Sequence, residues 1–162
     1  MPESASQFLN CAIKLISHFC HTPFPKELAA HGSHCIYKLQ LIMDESMWTV
    51  LFSKVFEQWL HEQEEGLQEK VLADLLNLQN YGPRLPRPYA DTVKGSRYKN
   101  MKELRFQYAG RPVRAFFAFD PVRQAIVLCA GDKSHDNTFY ERLIHIADGE
   151  FSLHLATLEA KK

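Results

Sequence analysis

The sequence lacks any apolar run of 18 residues or more, so no stretch of it has the length to cross a membrane as a helix. It lacks the nucleotide and hydrolase signatures that announce themselves by spacing. There is no GxxxxGK loop ending in Ser or Thr, no GxGxxG, no GxSxG elbow and no HExxH. It has little cysteine, and the four that exist (Cys11, Cys20, Cys35 and Cys129) form no CxxC pair. It lacks a net charge: 19 Lys and Arg balance 19 Asp and Glu, which argues against a general nucleic-acid coat protein. Residues 1–10 have no basic segment and already contain Glu3, so nothing resembles a secretory signal. A cytoplasmic location with reduced thiols is the expectation.

What remains is ordinary globular material. Of the 162 residues, 46% are hydrophobic and 23% charged, which suits one domain, with a second only if very small. The first 46 residues stand apart. They hold Cys11, Cys20 and Cys35 with His18, His21, His31 and His34, but no HxxxH pair of ligand spacing, so no metal is expected. Phe8–Phe19 has the pattern of a short apolar helix, ended by Pro23 and Pro25. Residues 1–46 are expected to be a peripheral extension, with Met43 or Met47 a possible natural start, and residues 47–162 the functional domain.

From Trp48 the pattern is regular. Trp48–Phe52 is β-prone, and Ser53 can cap a helix carrying Phe56, Trp59 and Leu60 on one face. Gly66 is expected to separate this helix from a second. In the second, Leu67, Val71, Leu75 and Leu78 recur at steps of four, four and three. Tyr81-Gly82-Pro83 ends it. Residues 82–100 are expected to be an ordered loop. Three strands follow. Met101–Tyr108 alternates Leu104, Phe106 and Tyr108 against Glu103, Arg105 and Gln107. Arg111–Asp120 puts Val113, Ala115, Phe117 and Phe119 on one face, Arg114 and Phe116 on the other. Gln124–Ala130 is a continuous apolar run, with Cys129 inside it as a small buried hydrophobe. Thr138 and Glu141 form a capping box for a helix ending at Gly149, and a last short helix carries Phe151, Leu155 and Leu158. The order is β-α-α-β-β-β-α.

The neutral total hides a division. Between residues 54 and 81, Lys54 and Lys70 face six carboxylates, a balance of −4. Between 84 and 114, Arg84, Arg87, Lys94, Arg97, Lys99, Lys102, Arg105, Arg111 and Arg114 face only Asp91 and Glu103, a balance of +7. Such a stretch attracts polyanions. Tyr89, Tyr98, Phe106 and Tyr108 are interleaved with the cations, and aromatic rings beside cations are the chemistry of single-stranded RNA or DNA binding. The plainer alternative is that the rings are core and the cations solvate the surface.

No His/His pair for ribonuclease chemistry is apparent among His61, His135, His145 and His154. RNA can be cut without one. The 2′-hydroxyl attacks its own phosphate and the 5′-oxygen leaves, given a base, an acid and fixed cations for the phosphorane charge. Guanidinium groups suit that phosphate better than mobile ammonium groups. Arg105 and Arg114 project from adjacent strands, Lys133 leaves the third strand, and Tyr140 follows after a loop. These four are the candidate catalytic residues.

The same segments carry a family likeness. Gly82–Asp91, Val93-Lys94-Gly95-Ser96-Arg97, Met101-Lys102-Glu103-Leu104-Arg105, Arg114–Pro121 and Gly131-Asp132-Lys133 resemble the RelE/ParE superfamily of toxin–antitoxin toxins, above all its phage-related HigB-like branch. The resemblance runs from Met47 to Leu158. It implies a small α+β fold: an antiparallel sheet of about four strands, two helices packed on one face, and a C-terminal helix. It also implies a metal- and cofactor-independent endoribonuclease of bacterial cytoplasm that cuts mRNA on the ribosome. Its partner would be an antitoxin with a helix-turn-helix domain. Arg105 sits in the family's Glu-Leu-Arg element, Arg114 where a phosphate-contacting arginine is common, Lys133 where a basic residue is usual, and Tyr140 close to a tyrosine of RelE. Glu103 stands where some RelE-type toxins have lysine; the alternative role for it is a charge partner for a neighbouring Arg. Arg84, Arg87, Lys94, Arg97, Lys99 and Lys102 are the expected RNA-binding cations. Two competing functions are a ParE-like gyrase poison that cuts no RNA and an inactive antitoxin-binding module.

Overall fold

Every residue from Ala125 to Ala130 is buried, so the strand that holds them needs cover on both faces. This strand, β5 (Gln124–Asp132), lies inside a five-stranded sheet in the computed structural model, which describes residues 47–161. The other strands are β1 (Thr49–Phe52), β2 (Ala90–Thr92), β3 (Met101–Tyr108) and β4 (Arg111–Phe119). Their order is β1-β5-β4-β3-β2, with β1 parallel to β5 and the remaining pairs antiparallel. The fold is α+β, with one strand more than expected. The helix foreseen over Phe8–Phe19 and the histidines and cysteines near it lie outside the described residues.

Helices α1 (Lys54–His61) and α2 (Glu65–Tyr81) cover one face with Phe56, Leu60, Leu67, Val71, Leu75 and Leu78, all buried. Ser53 starts α1 as foreseen: its Oγ accepts from the Phe56 amide at 3.1 Å and donates to the Leu128 carbonyl at 2.6 Å. The break between the helices falls at residues 62–64, ahead of Gly66. Gly66 lies within the first turn of α2, where a Cβ would stand 2.3 Å from the Tyr108 hydroxyl; the glycine makes room for β3.

The opposite face is covered by α3 (Phe139–Glu159). Phe139, Leu143, Ala147 and Phe151 pack on Leu51, Met101, Phe116, Ala118 and Ile126. This is one helix, not two. Gly149 costs it about 1 kcal/mol relative to Ala, too little to break a helix held by a buried face on either side. The helix is also latched from outside: Ser96 Oγ donates to Asp148 Oδ1 at 2.5 Å, and the Arg97 amide donates to Asp148 Oδ2 at 3.1 Å. The expected capping box is absent, since Thr138 makes no side-chain cap. Asp136 does that work, accepting from the Thr138 amide and hydroxyl at 2.9 Å and from Arg142 at 2.8 Å. Further along, His154 meets buried Asp120 of the β4–β5 turn at 2.8 Å.

The segment between α2 and β3, expected to be loop, contains β2. It pairs Ala90 with Leu104 and Thr92 with Lys102, and so edges the sheet beside β3. The chain reaches it through a turn fixed by Gly82 (φ 52°, ψ −131°), a conformation open only to glycine. Any Cβ there would lie 2.3 Å from the Trp48 indole, which packs edge-on to Phe119. Gly82→Ala is therefore expected to destabilise the fold by roughly 2–5 kcal/mol, combining backbone strain with overpacking. Urea denaturation measures this; a loss below about 1 kcal/mol would show that Trp48 gives way freely.

Candidate functional site

Register creates the site. Across the β3–β4 ladder Arg105 is paired with Arg114 and Glu103 with Phe116. Side chains alternate along strands, so Glu103, Arg105, Arg114 and Phe116 share the face that α3 covers. Two cations directly opposed on a sheet repel. Here carboxylates offset them. Arg105 Nε donates to Glu103 Oε1 and Arg105 Nη2 to Asp91 Oδ2, each at 2.8 Å. Arg87 reaches the same Asp91 oxygen at 2.6 Å. Arg87, the Thr92 amide and Arg105 hold the Asp91 carboxyl below the usual carboxylate range.

The first turn of α3 brings Tyr140 onto this cluster. Its ring stacks on Phe116 with centroids 6.0 Å apart, and Lys133 Nζ stands 5.0 Å from the ring centroid. Burial first, and then the Glu103 charge, push the Tyr140 hydroxyl above its ordinary value, with Arg114 pulling the other way. Two atoms of the cluster, Glu103 Oε2 and Arg114 Nε, are buried with no hydrogen-bond partner of their own. Arg114 spends Nη1 on its neighbour's carbonyl, Val113 O, at 2.9 Å.

All four candidate catalytic residues, Arg105, Arg114, Lys133 and Tyr140, are thus brought into one cluster. Arg87, Arg105, Arg114 and Lys133 against Asp91 and Glu103 leave it a surplus of two positive charges. A cationic, half-buried cluster with idle donors suits a phosphodiester.

The six expected RNA-binding cations are not brought together. Arg84, Lys94 and Lys99 are exposed on the segments either side of β2. Arg87 joins the site through Asp91. Arg97 turns onto α3, donating to Asp148 O at 3.2 Å and to Ser152 Oγ. Lys102 alternates to the face opposite Glu103 and Arg105. The interleaved aromatics divide as the plainer alternative held. Phe106 is core, Tyr98 packs edge-on to Phe151, Tyr108 lies against Gly66, and only Tyr89 is largely exposed. Two residues of the site, Asp91 and Glu103, were not among the candidates. Glu103 had a signal, since it shares the alternation of Arg105. Asp91 had none, because the three residues of β2 carry no apolar pattern.

Among the described residues no three His, Cys, Asp or Glu side chains group as a metal site, and no helix is long and apolar enough to cross a membrane. The profile of the family described as "Phage derived protein Gp49-like (DUF891)" matches residues 58–152. That span takes in β2 through β5 and every cluster residue named above. The chain belongs to this phage-derived, Gp49-like family. It is similar to "Putative toxin HigB2" of Mycobacterium tuberculosis (strain ATCC 25618 / H37Rv), 43% identical over 129 residues, which cover 78% of this chain and 64% of that protein. It is also similar to "Putative toxin HigB3" of the same organism, 41% identical over 103 residues, covering 63% of this chain and 88% of the relative. The chain therefore spans less than two thirds of the length of the HigB2 relative. No solved structure matches.

Proposed function

We propose that this protein is the toxin of a toxin–antitoxin pair and acts as an endoribonuclease on mRNA held by the ribosome. The observation that carries the reading is the gathering of Arg105, Arg114, Lys133 and Tyr140 beside the buried Glu103 carboxylate, with the two arginines directly opposed on adjacent strands. The names of the two relatives support the toxin class. The described residues 47–161 include all of this cluster, so the domain beginning at residue 47 is assigned the activity.

The chemistry is transesterification. Arg105 and Arg114 neutralise the non-bridging oxygens as charge builds on phosphorus, and their fixed forks need no reorganisation. Tyr140 and Lys133 handle the protons. The 2′-oxygen closes on phosphorus, leaving a 2′,3′-cyclic phosphate, and the released 5′-oxygen takes a proton. Arg84, Lys94 and Lys99, exposed on the segments either side of β2, contact flanking RNA phosphates. An antitoxin, of the helix-turn-helix type, silences the site by covering it.

The test is brief induction in a bacterial host, with total mRNA mapped by primer extension. New 5′ ends within coding regions, beginning within minutes, are expected. Growth arrest with intact mRNA and accumulating double-strand DNA breaks would replace this reading with gyrase poisoning.

A further inference from the structure

The connection between β2 and β3 is longer and more basic than joining two paired strands requires. Antiparallel neighbours are commonly joined by about two to five residues. This connection runs from Val93 to Asn100 and holds Lys94, Arg97 and Lys99 with no carboxylate of its own. A polar, mostly exposed stretch of this kind is ordinarily the mobile part of a fold. Here it is pinned to α3. Both carboxylate oxygens of Asp148 accept from it: Oδ1 from the Ser96 hydroxyl at 2.5 Å, Oδ2 from the Arg97 amide at 3.1 Å. Ser96 Oγ in turn accepts from the Tyr98 amide at 3.0 Å. The Arg97 guanidinium donates to the Asp148 carbonyl at 3.2 Å and to Ser152 Oγ, and lies 5.2 Å over the Tyr98 ring. The Tyr98 hydroxyl stands 2.9 Å from the same Ser152 oxygen. At the far end Asn100 donates to the Phe119 carbonyl at 2.8 Å. Ser96, Arg97 and Tyr98 are thus committed inward, while Lys94 and Lys99 stand exposed on either side of them.

The geometry points to Asp148 and Ser152 as positioning residues that hold the β2–β3 loop as a preformed cationic grip on the RNA backbone, with Arg97 as its pin and Lys94 and Lys99 as its contacts. This rests on the nuclease reading above and adds how a strand is held beside the reactive cluster. The latch and Tyr140 belong to one helix. Asp148 lies about two turns beyond Tyr140, about 12 Å along α3. A loop fixed to α3 is therefore fixed relative to Tyr140, and its lysines meet phosphates at a set distance from the one being cut. A loose loop would lose conformational freedom on binding; a loop already ordered does not, and keeps that share of the affinity. The two kinds of cation suit the two tasks. A planar guanidinium can bridge a carbonyl and a hydroxyl on one helix face, whereas an ammonium is a point charge that meets any backbone phosphate without reading a base. Asp148 offsets one of the three loop cations and leaves two turned outward. A loop that only joined β2 to β3 would need neither those lysines nor the latch.

The experiment measures binding of the full chain to a ribosome complex whose mRNA is fluorescein-labelled and 2′-O-methylated, so that the attacking hydroxyl is absent and nothing is cut. The variants are Asp148→Ala, the pair Lys94→Ala with Lys99→Ala, and all three changes together. Asp148→Ala and the lysine pair are each expected to weaken binding by roughly tenfold. The triple variant should bind no more than about threefold worse than the lysine pair, because lysines on a loose loop have already lost most of their effect. Penalties that multiply to roughly 100-fold overturn the grip, since the latch and the lysines would then act independently. The lysine pair should also flatten the fall of affinity with salt, by about one to two phosphate contacts, and an unchanged slope overturns the grip. With unmodified mRNA the Asp148→Ala loss should fall on the enzyme concentration for half-saturation; a loss confined to the rate at saturation overturns the assignment. Amide hydrogen exchange on the unaltered protein covers the case of a variant that does not fold. The Arg97 and Tyr98 amides should be protected before any RNA is added, and exchange at the free-chain rate overturns preforming. A wild type that does not bind the complex overturns the grip. A wild type that binds through the lysines but leaves unmodified mRNA intact is a different result: it removes the nuclease reading and keeps the RNA grip.

Discussion

Arg114→Ala is expected to yield a folded protein that has lost RNA cleavage by about 10²–10³-fold, or roughly 3–4 kcal/mol of transition-state stabilisation. The size follows from position. Arg114 is paired across the ladder with Arg105, so the two arginines stand directly opposed on adjacent strands. Arg105 is restrained by Glu103 and Asp91, whereas Arg114 has a buried Nε with no partner and one bond to a neighbouring carbonyl. Arg114 is therefore less committed within the protein than Arg105. The same fact limits the structural cost. Removing it forfeits one hydrogen bond, from Nη1 to the Val113 carbonyl, and some packing, so stability should change by about 1 kcal/mol. Arg114→Lys should restore little, because an ammonium cannot reproduce the fork. Single-turnover rates read beside thermal melts decide the matter. Collapse of the melt would make Arg114 structural, and activity within tenfold of wild type would remove it from the site.

The part of this arrangement legible in the sequence is the part set by strand periodicity. Alternation in Met101–Tyr108 and Arg111–Phe119 places Arg105 and Arg114 on one face, and a tight turn at Ala109-Gly110 fixes them opposite each other. Alternation cannot say whether a polar face meets water. Glu103 and Arg105 look like a solvated stripe until α3 is laid over them. That cover depends on Phe139, Leu143, Ala147 and Phe151 lying on one continuous helix, which the sequence, with Gly149 in the middle, divides in two. β2 was missed for another reason. A three-residue edge strand is held by backbone pairing with β3, and its Asp91 is placed by Arg87 and Arg105 rather than by any pattern of its own. The cation count overstated the interface for the same reason that it found it. Net charge does not distinguish Arg97, spent on α3, or Lys102, on the opposite face, from the arginines that meet in the cluster.

The largest effect expected is between substrates: mRNA on a ribosome should be cut well, and the same RNA free in solution hardly at all. The cluster has the cations for a phosphorane but not a strong independent base. Burial pushes the Tyr140 hydroxyl up, away from neutrality, and Glu103 lies too deep to touch RNA itself. Weak proton transfer must be offset by alignment, and holding the 2′-oxygen in line with the leaving 5′-oxygen contributes several kcal/mol, up to about 7–11 for ideal placement. The cluster offers little to impose that pose. Of the aromatics within the basic stretch 84–114 only Tyr89 is largely exposed, so that stretch has no platform of stacked rings to splay and bend a strand. A ribosomal decoding site holds a few nucleotides of single-stranded mRNA already bent, and its surrounding RNA phosphates suit the exposed Arg84, Lys94 and Lys99. Electrostatic docking of that kind weakens steeply with salt, so cleavage on the ribosome should fall as ionic strength rises. One RNA, free or in a ribosome complex, is incubated with equal enzyme and mapped by primer extension. Equal cutting in both samples removes ribosome dependence and requires a base stronger than Tyr140. No cutting in either sample favours the gyrase poison.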